Sequence, residues 1–462
     1  MIIRPSAFYN AQSQNAQSQP QNNKLRRKHV MDAPGTKRPI TSLRELSAFV
    51  YQTSRRTSNL PLNIPQKDMP EDEPFPWDIG VHDAHCHPTD TLASVADILQ
   101  MKATTLTIMA TRGEDQDLVQ QTAVSLSAKN SQSTTDRVVP CFGWHPWFSH
   151  QILDDTAQPT AAQNPAEHKT AHYTTVLAPS AADDQPFIDL LPVPKPLSEL
   201  ISETRNRLKQ FPNALVGEVG LDRSFRLPIP WTPANTDNRD DQLTPGSREG
   251  RRLSNYRVKP EHQRTVLKAQ LQLAGEMNRA VSMHSVQAHG GVFEVLKELW
   301  AGHERVVLSR RKRDKQRDAE GAVSDDDEDD DEDKTPDGSQ STKASDFNGK
   351  SHRPFPPRIC MHSYTGSVEP IRQFLHRSNP SDVYFSFSKV INFSGTVEKK
   401  VGDVIKALPE DRILIESDLH VAGAQMDELL EDVARQVCQL RGWELRHGAQ
   451  VLADNWRRFV FG

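Results

Sequence analysis

Eight short apolar runs limit the fold more than any other feature of the chain: "DIGVHDAH", "TLTIMA", "VVPCFG", "ALVGEVG", "AVSMHS", "RICMHS", "DVYFSFS" and "RILIESD". Each has the length of a strand and little polar alternation, the pattern of strands in a parallel sheet covered on both faces. Between most of them lie helix-compatible stretches. In "EHQRTVLKAQLQLAGEMNRA", Val266, Leu267, Leu271 and Ala274 recur at helical spacing and present one apolar face. Strand and helix alternating eight times predicts an α/β fold, the (β/α)8 TIM barrel.

A barrel of that kind needs about 250 residues, and the chain has 462, so a surplus must lie outside the repeat. Residues 1–42, rich in Gln, Asn and Ser around the basic "KLRRKH", read as a disordered extension, and the barrel region runs from 43 to 462. Three long, largely disordered insertions are expected within it, at 148–196, 224–260 and 306–353. The first two follow a strand and precede a helix, which places them over the C-terminal, catalytic face of a barrel. The third follows a helix and precedes a strand, so it should leave from the opposite face. It carries "RRKRDKQR" and the acidic block 325–333, "DDDEDDDED", whose charge runs read as a solvated segment, a partner-binding tail or an import signal.

A formal net charge of -5 leaves no overall basic field of the kind a nucleic-acid-coating protein needs. There is no apolar run of eighteen residues and no signal-peptide core, so an intracellular protein without membrane spans is expected. Cys86, Cys141, Cys360 and Cys438 show no C-x-x-C spacing, which points to buried free thiols.

Side chains at the C-terminal ends of barrel strands converge on one site. In "VHDAHCHPTD", His85 and His87 stand at i and i+2, so a strand points both imidazoles to one side, where they can share a cation. The fourth run ends in "GEVGLD", with Glu218 between Gly217 and Gly220, which permit close backbone approach around a carboxylate able to bridge two metals. The fifth ends at His284, the sixth at His362, and the eighth at Asp418 in "IESD". Taken singly, Glu218 could be a helix-capping acid, His284 a core histidine and Asp418 an N-cap. Together and in this order they predict a metal site. Asp83 is expected to support it by hydrogen bonding, with His82 and Asp90 as bystanders.

The stretches "DAHCHP", "GWHP", "GEVGLD", "MHSYTGS" and "DRILIESD" resemble the TatD-type metal-dependent hydrolases, TatD-related DNases of the amidohydrolase superfamily, from about residue 78 to the end. Glu218 separates this group from relatives that bridge their metals with a carboxylated lysine. The resemblance implies two divalent cations: His85, His87, Glu218 and Asp418 would hold one, and Glu218, His284 and His362 the other. Asp418 would be the general base and His145 of "GWHPW" would support the site. Mixed imidazole and carboxylate ligands suit Mg, Mn or Zn. The implied activity is phosphodiester hydrolysis of DNA ends or single strands. The likeness is greatest to a eukaryotic branch described as interacting with an anaphase-promoting complex subunit, which implies a cell-cycle partner.

The substrate-facing positions depart from the family. Arg223 follows "GLD" directly and Arg226 comes later, so both are candidate phosphate contacts in altered places. Val286 stands where an Arg often follows the strand-five His, and Leu419 and His420 replace the usual residues after Asp418. Rival expectations are an interaction protein using the barrel as scaffold, or a hydrolase of another ester or amide bond. The basic runs "KLRRK" and "RRKR" suggest nucleus and cytoplasm.

Overall fold

The computed structural model describes residues 73–127, 136–156, 164–246, 248–307 and 353–462. The extension 1–42, residues 43–72, and most of the third insertion with its acidic block 325–333 lie outside the described residues.

All eight apolar runs form strands: β1 (His82–Cys86), β2 (Thr105–Met109), β3 (Val138–Phe142), β4 (Leu215–Asp222), β5 (Val281–Val286), β6 (Arg358–Met361), β7 (Asp382–Ser388) and β8 (Ile413–Glu416). They make one eight-stranded sheet in chain order, and every neighbouring pair is parallel. The barrel is nearly closed. Its seam is stitched just beyond the strands, where the Asp418 N–H donates to the His85 carbonyl at 3.0 Å and the His87 N–H to the Leu419 carbonyl at 2.8 Å. Every residue of β1, β2, β3, β4 and β8 is buried, as parallel strands between core and helices must be.

The helix Pro260–Glu276 buries Val266, Leu267, Leu271 and Ala274 as its spacing predicts. It also buries two glutamines that grip the strand ends. Gln263 pairs with both backbone groups of Asp222, at 2.8 and 2.9 Å, and Gln270 with both of Trp144, at 2.7 and 3.2 Å. Each pairing satisfies buried main-chain groups at the end of a strand or just beyond it. The helix therefore positions the ends of β4 and β3.

The first two insertions do lie after β3 and β4, but their described residues are folded, and the expectation of disorder does not extend to these. Helices Pro165–Val176 and Gln185–Leu190 form in the first. Leu177–Ala178 pairs antiparallel with Arg257–Val258 of the second. Tyr173, Val176, Leu177, Phe187, Ile188, Leu191, Leu227 and Val258 make a small core of their own, separate from that of the barrel. Pro- and Asp-rich composition concealed it because its apolar residues are split between two segments and form a core only when these pack together. Among the described residues no helix is long and apolar enough to cross a membrane, and all four cysteines are free and buried.

Candidate metal centre

Glu218 sits within β4 rather than at its end, where the register with β5 shifts by one residue between Val216 and Val219. A bulge of this kind re-aims a side chain. Its backbone passes close to neighbours that only glycine allows: a Cβ on Gly217 would meet the Ser282 carbonyl oxygen at 2.8 Å, and one on Gly220 the His284 carbonyl oxygen at 2.0 Å.

The two carboxylate oxygens of Glu218 face two different sets of imidazoles. Oε2 lies 3.4 Å from Nε2 of His85 and 3.4 Å from Nε2 of His87. Oε1 lies 2.7 Å from His284 Nδ1, 2.9 Å from His362 Nε2 and 3.0 Å from His145 Nε2. Asp418 closes the first set, with Oδ1 at 3.8 and 3.6 Å from the same His85 and His87 nitrogens. Its φ of 55° is left-handed, a conformation Asp tolerates better than most residues, and it turns the chain sharply at the end of β8. The structure thus brings together His85, His87, Glu218, His284, His362, Asp418 and His145.

Within each set the nitrogens point at one another, at 3.0 Å between His85 and His87 and 3.2 Å between His284 and His362. Two facing imidazole lone pairs repel unless a proton or a cation lies between them, so this donor set fits divalent cations. The electrostatics agree. Burial alone would raise the Glu218 carboxyl, yet the imidazoles of His145, His362 and His85 hold it well below the usual carboxylate range. Burial also opposes ionisation of Asp418, but the hydrogen bond with His87 and the charges of His362, His85 and His87 bring it down to about 2. Both carboxylates are therefore ionised at neutral pH, as metal ligands must be.

Surrounding groups select the tautomers. Nδ1 of His85 lies 2.8 Å from the Ser282 hydroxyl, which can accept its proton and leave Nε2 free to ligate. Nε2 of His284 lies 3.2 Å from Asp222 Oδ2, leaving Nδ1 toward Glu218. In His145 the Trp147 N–H donates to Nδ1 at 3.1 Å, so a neutral ring carries its proton on Nε2 and donates it to Glu218. That tautomer makes His145 a hydrogen-bond donor rather than a ligand.

Asp83 stands behind the site, wholly buried. It accepts hydrogen bonds from the His85 N–H at 3.0 Å and from the Ser417 N–H and hydroxyl at 3.1 and 2.5 Å, which ties β1 to the end of β8. Arg223 is exposed and Arg226 half-buried. Neither forms an ion pair among the described residues, and neither contacts the Glu218 cluster. His82 is stacked on Trp456 at a centroid separation of 4.0 Å, away from the ligands, as a bystander should be. Asp90 does not ligate either, but it is no bystander: its Oδ1 is 2.8 Å from Arg112 and its Oδ2 is 2.9 Å from His420.

Sequence reasoning missed Asp222, whose role rests on its position two and four residues beyond Gly220 and Glu218 on the same strand. Besides His284 it takes the Trp147 indole N–H at 2.6 Å and the Ser224 and Phe225 N–H groups at 2.7 and 2.9 Å. Asp222→Asn should lower metal affinity by about 10- to 100-fold while leaving the fold intact, since the ring it orients would lose its partner. A calorimetric Mn titration checks this; affinity within twofold of wild type would mean that His284 is held by other contacts.

The TatD related DNase family profile matches residues 82–461. The Cut9-interacting protein scn1 of Schizosaccharomyces pombe is 33% identical over 381 residues, covering 82% of this chain and 98% of its own. An uncharacterized deoxyribonuclease of Saccharomyces cerevisiae is 25% identical over 395 residues, with the same coverage of 82% and 98%. Among solved structures, the TatD homolog YjjV of Escherichia coli aligns with a TM-score of 0.42 at 17% identity, covering 82% of this chain and 97% of that one. With a profile match spanning the barrel from β1 to the last helix, and a relative so similar along nearly its whole length, the chain belongs to the TatD related DNase family.

Proposed function

We propose that this protein is a metal-dependent deoxyribonuclease that hydrolyses phosphodiester bonds with two divalent cations, Mg, Mn or Zn. The observation that carries the proposal is the division of Glu218 between two imidazole sets, Oε2 toward His85 and His87 and Oε1 toward His284 and His362. His85, His87, Glu218 and Asp418 would hold one cation and Glu218, His284 and His362 the other. When bound, such a pair acidifies water and offsets charge on the phosphate oxygens. The remaining steps fall to the side chains. Water oxygen forms the new bond to phosphorus, the opposite P–O bond breaks, the water proton passes to a carboxylate, and the leaving oxygen takes up a proton from solvent to depart as an alcohol. We assign that task to Asp418; its side chain is 18% exposed against 4% for Glu218, which supports the choice. His145 donates to Glu218 and keeps it oriented, while Arg223 and Arg226 offer cations to phosphates at the rim.

Elemental analysis of the purified protein, paired with cleavage of single-stranded DNA in added Mg or Mn, tests the proposal against an Asp418→Ala control. Metal content with Asp418-dependent cleavage is expected. Metal without cleavage would favour hydrolysis of a different ester or amide bond, and absence of metal under both conditions would remove the enzymatic reading.

A second reading, compatible with the first, is a cell-cycle protein partner bound through the charged third insertion; it is supported by the similarity to a Cut9-interacting protein of fission yeast. Deleting residues 309–350 should abolish that binding and leave the thermal unfolding of the barrel unchanged, whereas retained binding would put the interface elsewhere. Residence in nucleus and cytoplasm rests on the two basic runs alone, and a fluorescent fusion lacking both should lose nuclear signal.

A further inference from the structure

A rigid aromatic pair stands at the edge of the candidate centre. Trp147, two residues after His145, lies against Phe225, three residues after Asp222, with ring centroids 4.7 Å apart and planes 10° from parallel. The indole is held from two further sides: its N–H donates to Asp222 at 2.6 Å, and its ring meets His145 and His284 at centroid separations of 4.6 and 5.9 Å. Yet 37% of Trp147 remains exposed. A single exposed aromatic on a surface is ordinary. An aromatic fixed in orientation by a stacked partner, a buried carboxylate and two site histidines, and still open to solvent, is a prepared surface for a planar group. Phe225 belongs to the segment that carries Arg223 and Arg226, so two cations that form no ion pair among the described residues lie next to the pair along the chain.

We infer that Trp147 and Phe225 form a platform on which a nucleobase of a single-stranded substrate stacks, with the adjoining phosphate directed to the cations that Glu218 and the histidines would hold. This deepens the deoxyribonuclease reading and rests on it. Stacking on an aromatic face tolerates any base, and it favours strands whose bases are not already stacked in a duplex. Trp147 acts here as a specificity determinant, not as a catalytic residue.

The full-length chain with Mn is tested on an oligodeoxythymidylate and on an oligomer of equal length carrying abasic sites. Wild type should prefer the base-bearing strand in kcat/KM by about 5- to 100-fold. Trp147→Leu should bring the ratio near one, and Trp147→Phe should keep part of it. Trp147 also supports Asp222, so its loss can slow both substrates, but the ratio between them is insulated from that effect. Phe225→Leu serves as a second variant if Trp147→Leu does not fold. A wild-type ratio near one, or a ratio unchanged in the Leu variants, would overturn the inference. If no phosphodiester is cleaved with any metal, the enzymatic reading fails by itself and tryptophan fluorescence decides the platform. Quenching by thymidine monophosphate but not by deoxyribose 5-phosphate, absent in Trp147→Phe, supports it; equal responses or no Trp147-dependent signal refute it.

Discussion

Glu218→Gln is expected to lower metal-dependent hydrolysis by on the order of 1,000-fold and to release at least one cation. The substitution keeps the shape of the side chain and removes its charge. In the wild-type site that charge faces five imidazoles, those of His85, His87, His145, His284 and His362, all within 3.4 Å of one carboxylate oxygen or the other. A neutral amide presents one oxygen and one N–H₂, so one of the two sets would face a donor instead of an acceptor. Metal content by elemental analysis and initial rates on single-stranded DNA read the two effects separately. Activity within about tenfold of wild type with full metal content would show that Glu218 bridges nothing.

The largest effect on stability is expected at Arg112, a residue outside the candidate ligand set. Its side chain is 2% exposed, and all five of its N–H groups are used. They reach Asp90 at 2.8 Å, Asp115 at 3.2 Å, Thr111 at 2.8 Å, and the carbonyls of Pro245 and Thr244 at 2.7 and 3.3 Å. The last two belong to the second insertion. Leu92 also donates to the Gln242 carbonyl, and Thr244 to the backbone of Thr89 and Asp90, so the insertion is bolted across part of the barrel mouth onto the loops after β1 and β2. Arg112→Met keeps the stem and leaves the buried Asp115 without its cation and the half-buried Asp90 with His420 alone, and removing one partner of a buried pair costs about 3–5 kcal/mol. Urea unfolding at neutral pH measures it. A loss below about 1 kcal/mol would mean that water already reaches those carboxylates.

How much of this was legible depends on the range of the interaction. His85 and His87 could be read as co-facial because extended backbone obeys a period of two, although β1 ends at Cys86 and His87 is the first residue beyond it. Glu218, His284, His362 and Asp418 could be placed by counting strands, since a barrel delivers every strand end to the same mouth. Asp222 had a local signal, lying four residues beyond Glu218 on the same strand, but its pairing with His284 joins residues 62 apart in the chain. Ser282, 197 residues from His85, had no such signal. Arg112 looked like any polar residue after a strand until the second insertion closed over it.

The chain's own order of residues therefore determined the barrel, the six candidate ligands and the place of the two insertions after β3 and β4, because periodicity and strand order are properties of neighbours along the backbone. Only the tertiary structure decided which Glu218 oxygen faces which histidines, that His145 donates rather than ligates, and that the two insertions share a core and clamp the mouth through Arg112. Each of those outcomes depends on a bulge or on a contact between distant segments, and its free energy is defined only once both partners are in place.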